Sequence, residues 1–186
     1  MSLSEVKIKV LRLLWKVGKP VKSRELAQQL GLSVPPTNLH LIWLRRKEYI
    51  FSPEKGLYAI TEKGKESLIL SKINQNQALE ILKNVPRERA FHFYRGVDQY
   101  LGTYAINLSE FCDMIQVVDA KSLEFHLPRK DFELWFLDLG DFELAKEISA
   151  IDESGLLGED LRKRVHKIVK TRCEELRNLA DKPSQV

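Results

Sequence analysis

With 186 residues, 44% hydrophobic and 30% charged, the chain can hold one large domain or two small ones, each with its own core. No apolar run reaches the length of a membrane span and the opening six residues are not a secretory signal, which predicts a cytoplasmic protein with no membrane partner. The net charge of +4 is unevenly placed: residues 1–72 carry 14 Lys+Arg against 6 Asp+Glu, residues 73–150 carry 8 against 13, and residues 151–186 carry 8 against 7. A basic first part beside an acidic middle is the charge pattern of a nucleic-acid-binding head joined to a different kind of second domain.

In chain order, the first helix is expected over residues 4–17, where Val6, Val10, Leu13, Leu14 and Val17 recur at helical spacing. Gly18-Lys19-Pro20 stops it, and Val21 and Lys22 can add a short edge strand. Ser23 can cap a second helix whose stripe is Leu26, Ala27 and Leu30, and Gly31 ends it. Pro35 and Pro36 can open a third helix over 37–47. Two short helices joined by a tight turn make a helix-turn-helix. Tyr49, Ile50 and Phe51 are strand formers, Ser52-Pro53-Glu54-Lys55-Gly56 is a turn, and residues 57–60 are strand-like again before Thr61-Glu62-Lys63-Gly64 leads back into helix.

The segments RELAQQLGLS, LHLIWLRRKEYI and GLYAITEKGKE resemble the winged helix-turn-helix domains of bacterial and archaeal transcription regulators, over about residues 1–66. The resemblance implies that helix 37–47 reads the major groove of double-stranded DNA and that the 52–56 wing touches phosphate. In that register Thr37, His40, Leu41 and Leu44 face the core, while Asn38, Leu39, Ile42, Trp43, Arg45 and Arg46 point outward. Asn can pair with adenine edges and Arg with guanine or phosphate. The expected DNA-binding residues are therefore Asn38, Trp43, Arg45, Arg46 and Lys55, with Thr37 as a backbone contact at the helix start; Lys63 and Lys65 stand just behind the wing tip. The apolar Leu39, Ile42 and Trp43 leave an alternative open, in which this face is a protein-interaction surface.

Helical pattern continues to residue 85 with a polar break and candidate hinge at Asn74-Gln75-Asn76-Gln77, giving a linker helix, or two, over 67–86 that Pro86 ends. A second domain follows over 87–152. AFHFYRG and YLGTYAI form a short hairpin. Helix starts are expected at Ser109, capped by Asp119 for KSLEFHL, and capped by Asp131 and Asp141 for the next two. FHFY with SLEFHLPRKDFELWF resembles a small uncharacterised domain family of archaea and bacteria, a resemblance that implies no activity. His126, Arg129 and Asp131 lie close enough to meet an anionic effector or a protein partner, although ordinary helix capping explains them more simply. No nucleophile triad or glycine-rich phosphate loop is present, so no catalytic residues, cofactor or enzyme activity are expected. Cys112 and Cys173 are far apart and lack metal-ligand spacing, which predicts reduced thiols and no metal site.

A long amphipathic helix over 157–182, with Leu161, Val165, Ile168, Val169, Leu176 and Leu179 as its stripe, either pairs two subunits into a homodimer or packs on its own domain. The tail beyond it is expected to fray. The expected fold class is α+β and mostly helical: a winged helix, then a helix-rich domain with a short hairpin and a long last helix. The expected function is DNA binding in transcription regulation.

Overall fold

Apolar residues three and four apart give helix α1 (Glu5–Val17) one buried face, Val10, Leu11, Leu14 and Trp15. It ends at Gly18, whose φ of 65° lets its N–H return to the Leu14 carbonyl. This computed structural model describes residues 3–69, 73–152 and 154–181, and the fold is α+β and mostly helical. The chain divides into two compact units, residues 1–72 and 73–186.

The first unit continues with β1 (Val21–Lys22), α2 (Ser23–Gln29), α3 (Val34–Arg46), β2 (Ile50–Phe51), β3 (Leu57–Ile60) and α4 (Glu62–Ile69). The strands form one antiparallel sheet in the order β1-β3-β2, with Val21 opposite Tyr58 and Ile50 opposite Ile60. Helix α3 starts three residues earlier than expected. Ser33 is its extended N-cap, and the prolines fall inside the first turn, where a missing N–H breaks no helical hydrogen bond. The Thr61-Gly64 corner locks α4 to the end of α3. Thr61 Oγ1 donates to the Glu48 carbonyl (2.7 Å) and accepts from the Gly64 N–H (3.0 Å), while the Thr61 N–H donates to the Tyr49 carbonyl.

Of the one or two linker helices expected, the described residues hold two. Helix α4 ends at Ile69, residues 70–72 lie outside the described residues, and α5 (Gln75–Leu82) starts afresh. What reads as a polar break is a capping box: Asn74 accepts from the Gln77 N–H and Gln77 accepts from the Asn74 N–H. After a 3₁₀ turn come β4 (Phe91–Tyr94) and β5 (Tyr100–Ala105), an antiparallel hairpin with His92 opposite Tyr104. Helices α6 (Leu108–Val117), α7 (Ala120–His126), α8 (Asp131–Leu139), α9 (Phe142–Asp152) and α10 (Gly158–Ala180) complete the second unit.

Asp119 and Asp141 cap α7 and α9 as expected, but α6 is capped by Asn107, not Ser109. Asp131 is the first residue of α8 and turns its carboxylate elsewhere, following Lys130 at a φ of 62°. Phe91, Phe93, Phe111, Phe132, Trp135 and Phe136 form the core, with ring centroids 4.9–5.7 Å apart between neighbours. The Trp135 indole N–H is satisfied by the Arg89 carbonyl.

Helix α10 packs against α5, α6, α7 and α9 and buries Leu161, Val165, Ile168, Val169 and Leu176 there. Of the two arrangements expected for this stripe, packing on its own domain is the one the unit shows. Residues 182–186, the expected frayed tail, lie outside the described residues. No described helix is long and apolar enough to cross a membrane.

Candidate nucleic-acid interface

Helix α3 turns Thr37, Leu41 and Leu44 into the first unit. Thr37 is fully buried, and its hydroxyl donates to the Ser33 carbonyl at 2.9 Å. It is neither at the helix start nor at the surface, so the contact expected of it is not available. Helical spacing puts Pro35, Leu39, Ile42 and Arg46 at the centre of the opposite face. There Leu39 is 69% and Ile42 41% exposed.

The other expected contacts flank this line. Asn38 is half-buried on one side, with Arg45 exposed beyond it. On the other side Trp43 is half-buried: the Lys7 ammonium sits 3.9 Å from its ring centroid and the Tyr49 ring packs at 6.2 Å. Trp43 is thus mostly tied up within its own unit. Because Pro35 and Pro36 carry no N–H, the first turn of α3 cannot grip an anion through its backbone in the usual way. Contact with phosphate falls to side chains.

Those side chains sit at the other end of the helix and on the hairpin. Arg45 and Arg46 occupy the last turn of α3, where the helix dipole favours cations, and Lys47 follows. The β2–β3 turn is closed by Ser52 Oγ donating to the Glu54 carbonyl (2.6 Å) and by the Leu57 N–H donating to the same oxygen (3.0 Å), leaving Lys55 exposed. Among the described residues Arg45, Arg46, Lys47 and Lys55 form no ion pair. Lys63 and Lys65, expected to support the hairpin, are instead neutralised by Glu48 (2.6 Å) and Glu62 (2.8 Å).

One residue escapes sequence reasoning. Lys22 pairs opposite Leu57, and the adjacent Ser23 N–H donates to the Gly56 carbonyl, so exposed Lys22 lies beside the hairpin turn. The expectation of an edge strand at Val21 and Lys22 was the signal for it.

In the second unit His126, Arg129 and Asp131 do meet. His126 Nδ1 lies 2.7 Å from Asp131 Oδ2, and Arg129 Nε donates to the same oxygen at 3.2 Å. The imidazole is 4% exposed and ringed by Phe91, Phe93, Phe125 and Phe132. Burial pushes its pKa below the ordinary 6.5, more than the Asp131 hydrogen bond and charge raise it. It is therefore neutral: Nδ1–H donates to Asp131, and Nε2 accepts the outward Tyr94 N–H of β4 at 2.9 Å. Both ring nitrogens are used, one to close the sheet edge, so the cluster is a structural lock with no imidazole valence left for a ligand.

This lock has a pH signature. Because the folded pKa is depressed, the unfolded chain binds more protons below pH 6.5, and protonation would set an N–H against the Tyr94 N–H. The contribution is complete above about pH 6.5 and is lost as pH falls below it. Denaturation midpoints measured from pH 7.5 to 5 should fall, and His126→Gln, a non-titrating acceptor, should flatten the trend.

A cleft of about 270 Å³ between α6 and α10 is lined by Cys112, Cys173, His166, Lys170 and Arg177 among others. Burial pushes the Cys173 thiol up to about 12 and raises Cys112 too, which makes both poor nucleophiles. Among the described residues no three His, Cys, Asp or Glu side chains are placed to hold a metal ion.

A family model matches residues 62–170, more than half of the chain. The chain belongs to DUF5752, a family of unknown function. The DUF5752 match begins at the first residue of α4 and ends within α10, so it takes in the aromatic core and the His126 lock; α3 and the β2–β3 hairpin lie before it. No curated protein and no solved structure matches the chain.

Proposed function

We propose that this DUF5752 member is a DNA-binding transcription regulator whose first unit is a winged helix-turn-helix. Helix α3 enters the major groove, and the β2–β3 hairpin serves as a wing on the phosphate backbone. The observation that carries the reading is the set of exposed cations that have no acidic partner among the described residues, Arg45, Arg46 and Lys47 at the end of α3 and Lys55 and Lys22 at the hairpin, on a unit with a charge of +8. The element order and the β1-β3-β2 sheet support it, because they hold the hairpin beside α2 while α3 keeps its outer face open. The second unit is the sensing or partner-binding part. A homodimer that presents two heads to a twofold operator has to use a surface other than the buried stripe of α10.

The test is the affinity of the full chain for a labelled mixed-sequence duplex. Each phosphate contact contributes about 0.9 decade through counterion release at about 0.1 M salt, so Arg45→Ala with Arg46→Ala should weaken binding by on the order of 10²-fold. Unchanged affinity would remove α3 from the interface.

The exposure of Leu39 and Ile42 favours a second reading, in which Pro35, Leu39 and Ile42 dock a protein. On that reading duplex DNA does not bind even at low salt.

A further inference from the structure

We infer that α3 discriminates DNA sequences through thymine methyl groups, not through hydrogen bonds to base edges; this rests on the duplex-DNA reading above. The centre of the outer face of α3 is Pro35, Leu39, Ile42 and Arg46, spaced three and four residues apart. Leu39 and Ile42 are both exposed there, where a helix lying in the major groove meets base edges. Neither can donate or accept a hydrogen bond.

Apart from Arg46 in the last turn, the polar groups able to read bases are displaced to the flanks. Asn38 is half-buried, Arg45 lies to the side, and the Trp43 ring is covered by Lys7. Proline at positions 35 and 36 removes two backbone donors from the end of the helix that usually addresses bases and phosphates. What remains at the centre ahead of Arg46, which stands in the last turn, is aliphatic. In the major groove the apolar group that distinguishes an ordinary base pair is the C5 methyl of thymine.

The occupant is settled by charge. The same stripe ends in Arg46, with Arg45 and Lys47 beside it, and the unit carries a charge of +8. Cations framing an aliphatic line suit a polyanion whose groove floor carries methyl groups, with the phosphates on either side taking the charge. The expected preference is for sites with thymines on successive base pairs under Leu39 and Ile42.

The experiment uses the full chain and two duplexes of one sequence, the first made with thymidine and the second with deoxyuridine, which lacks only the methyl. The deoxyuridine duplex should bind about fourfold more weakly for each methyl covered, with the same slope of log affinity against log salt. Leu39→Ala with Ile42→Ala, both solvent-facing and checked for folding by circular dichroism, should bring the thymidine duplex down to the deoxyuridine affinity and leave the latter unchanged. Equal binding of both duplexes by the unmodified chain, with a steep salt dependence, overturns methyl readout and leaves DNA binding standing. Loss of affinity for both duplexes in the double variant also overturns it. Failure to bind either duplex at about 50 mM salt overturns both readings.

Discussion

Arg172→Ala should destabilise the second unit by about 3–5 kcal/mol, because it strands a buried carboxylate. Arg172 reaches from α10 to Asp141, which is fully buried, through two parallel hydrogen bonds of 2.8 and 3.0 Å. Its third nitrogen meets Glu143 at 2.7 Å and Glu175 at 3.0 Å. Burial works against the guanidinium charge, and Asp141 with the two glutamates more than offsets it, holding the pKa above its ordinary value. Asp141 also accepts the Leu144 N–H as the cap of α9, so one carboxylate joins α9 to α10. Removing the arginine leaves that charge without its partner in a place water does not reach. Urea denaturation of the full chain checks the magnitude, and hydrogen exchange should show protection lost first in α9 and α10. Arg172→Met with Asp141→Asn should be less damaging than the sum of the two single changes, since no unpaired charge remains.

Gly64→Ala should be nearly as severe, about 3 kcal/mol or more, and confined to the first unit. A Cβ there would overlap the Tyr49 carbonyl oxygen and stand 2.8 Å from Ile60 Cγ1. The carbonyl cannot yield cheaply, since it accepts the Thr61 N–H, and Thr61 in turn holds Glu48 and Gly64. Glu48 is itself in the left-handed region, at a φ of 63°. Any shift of the corner therefore moves the end of α3, which carries Arg45, Arg46 and Lys47. The variant should lose hydrogen-exchange protection in α3 and α4, with α10 unaffected, and should lose DNA binding with it.

Elements with short-range causes were readable from the residues. Spacing of apolar side chains placed the first two helices, Pro35 and Pro36 pointed to the third though three residues late, and the Ser52-Gly56 turn placed the hairpin. The Tyr-x-Ile-Thr-x-Lys-Gly run marked the corner at Thr61, though its reason, the close approach of Tyr49 to Gly64, exists only once the chain is folded. Asn74-Gln75-Asn76-Gln77 looked like an interruption because polar side chains serve equally as a hinge and as a capping box.

The candidate site was legible to the same extent. His126 and Asp131, read as close enough to share an anionic ligand, pair with each other. The ring's other partner, the Tyr94 N–H, comes from 32 residues away and turns a candidate ligand site into a lock. Arg172 falls four residues after Ile168 and four before Leu176, on the buried stripe, and that spacing is the available signal of its burial. Register put Thr37 on the core side, where it lies, but Trp43, read as outward, shows the limit of assigning helix faces that way, since Lys7 covers its ring.

The central claim, that the first unit grips the phosphates of duplex DNA, is met most directly by titrating salt against the affinity of the full chain for a mixed-sequence duplex. Contact by most of Arg45, Arg46, Lys47, Lys55 and Lys22 predicts a straight line of log affinity against log salt with a slope of about −3 to −5, shallower by about two when Arg45 and Arg46 are alanine. A slope near zero, or no binding at low salt, would contradict it.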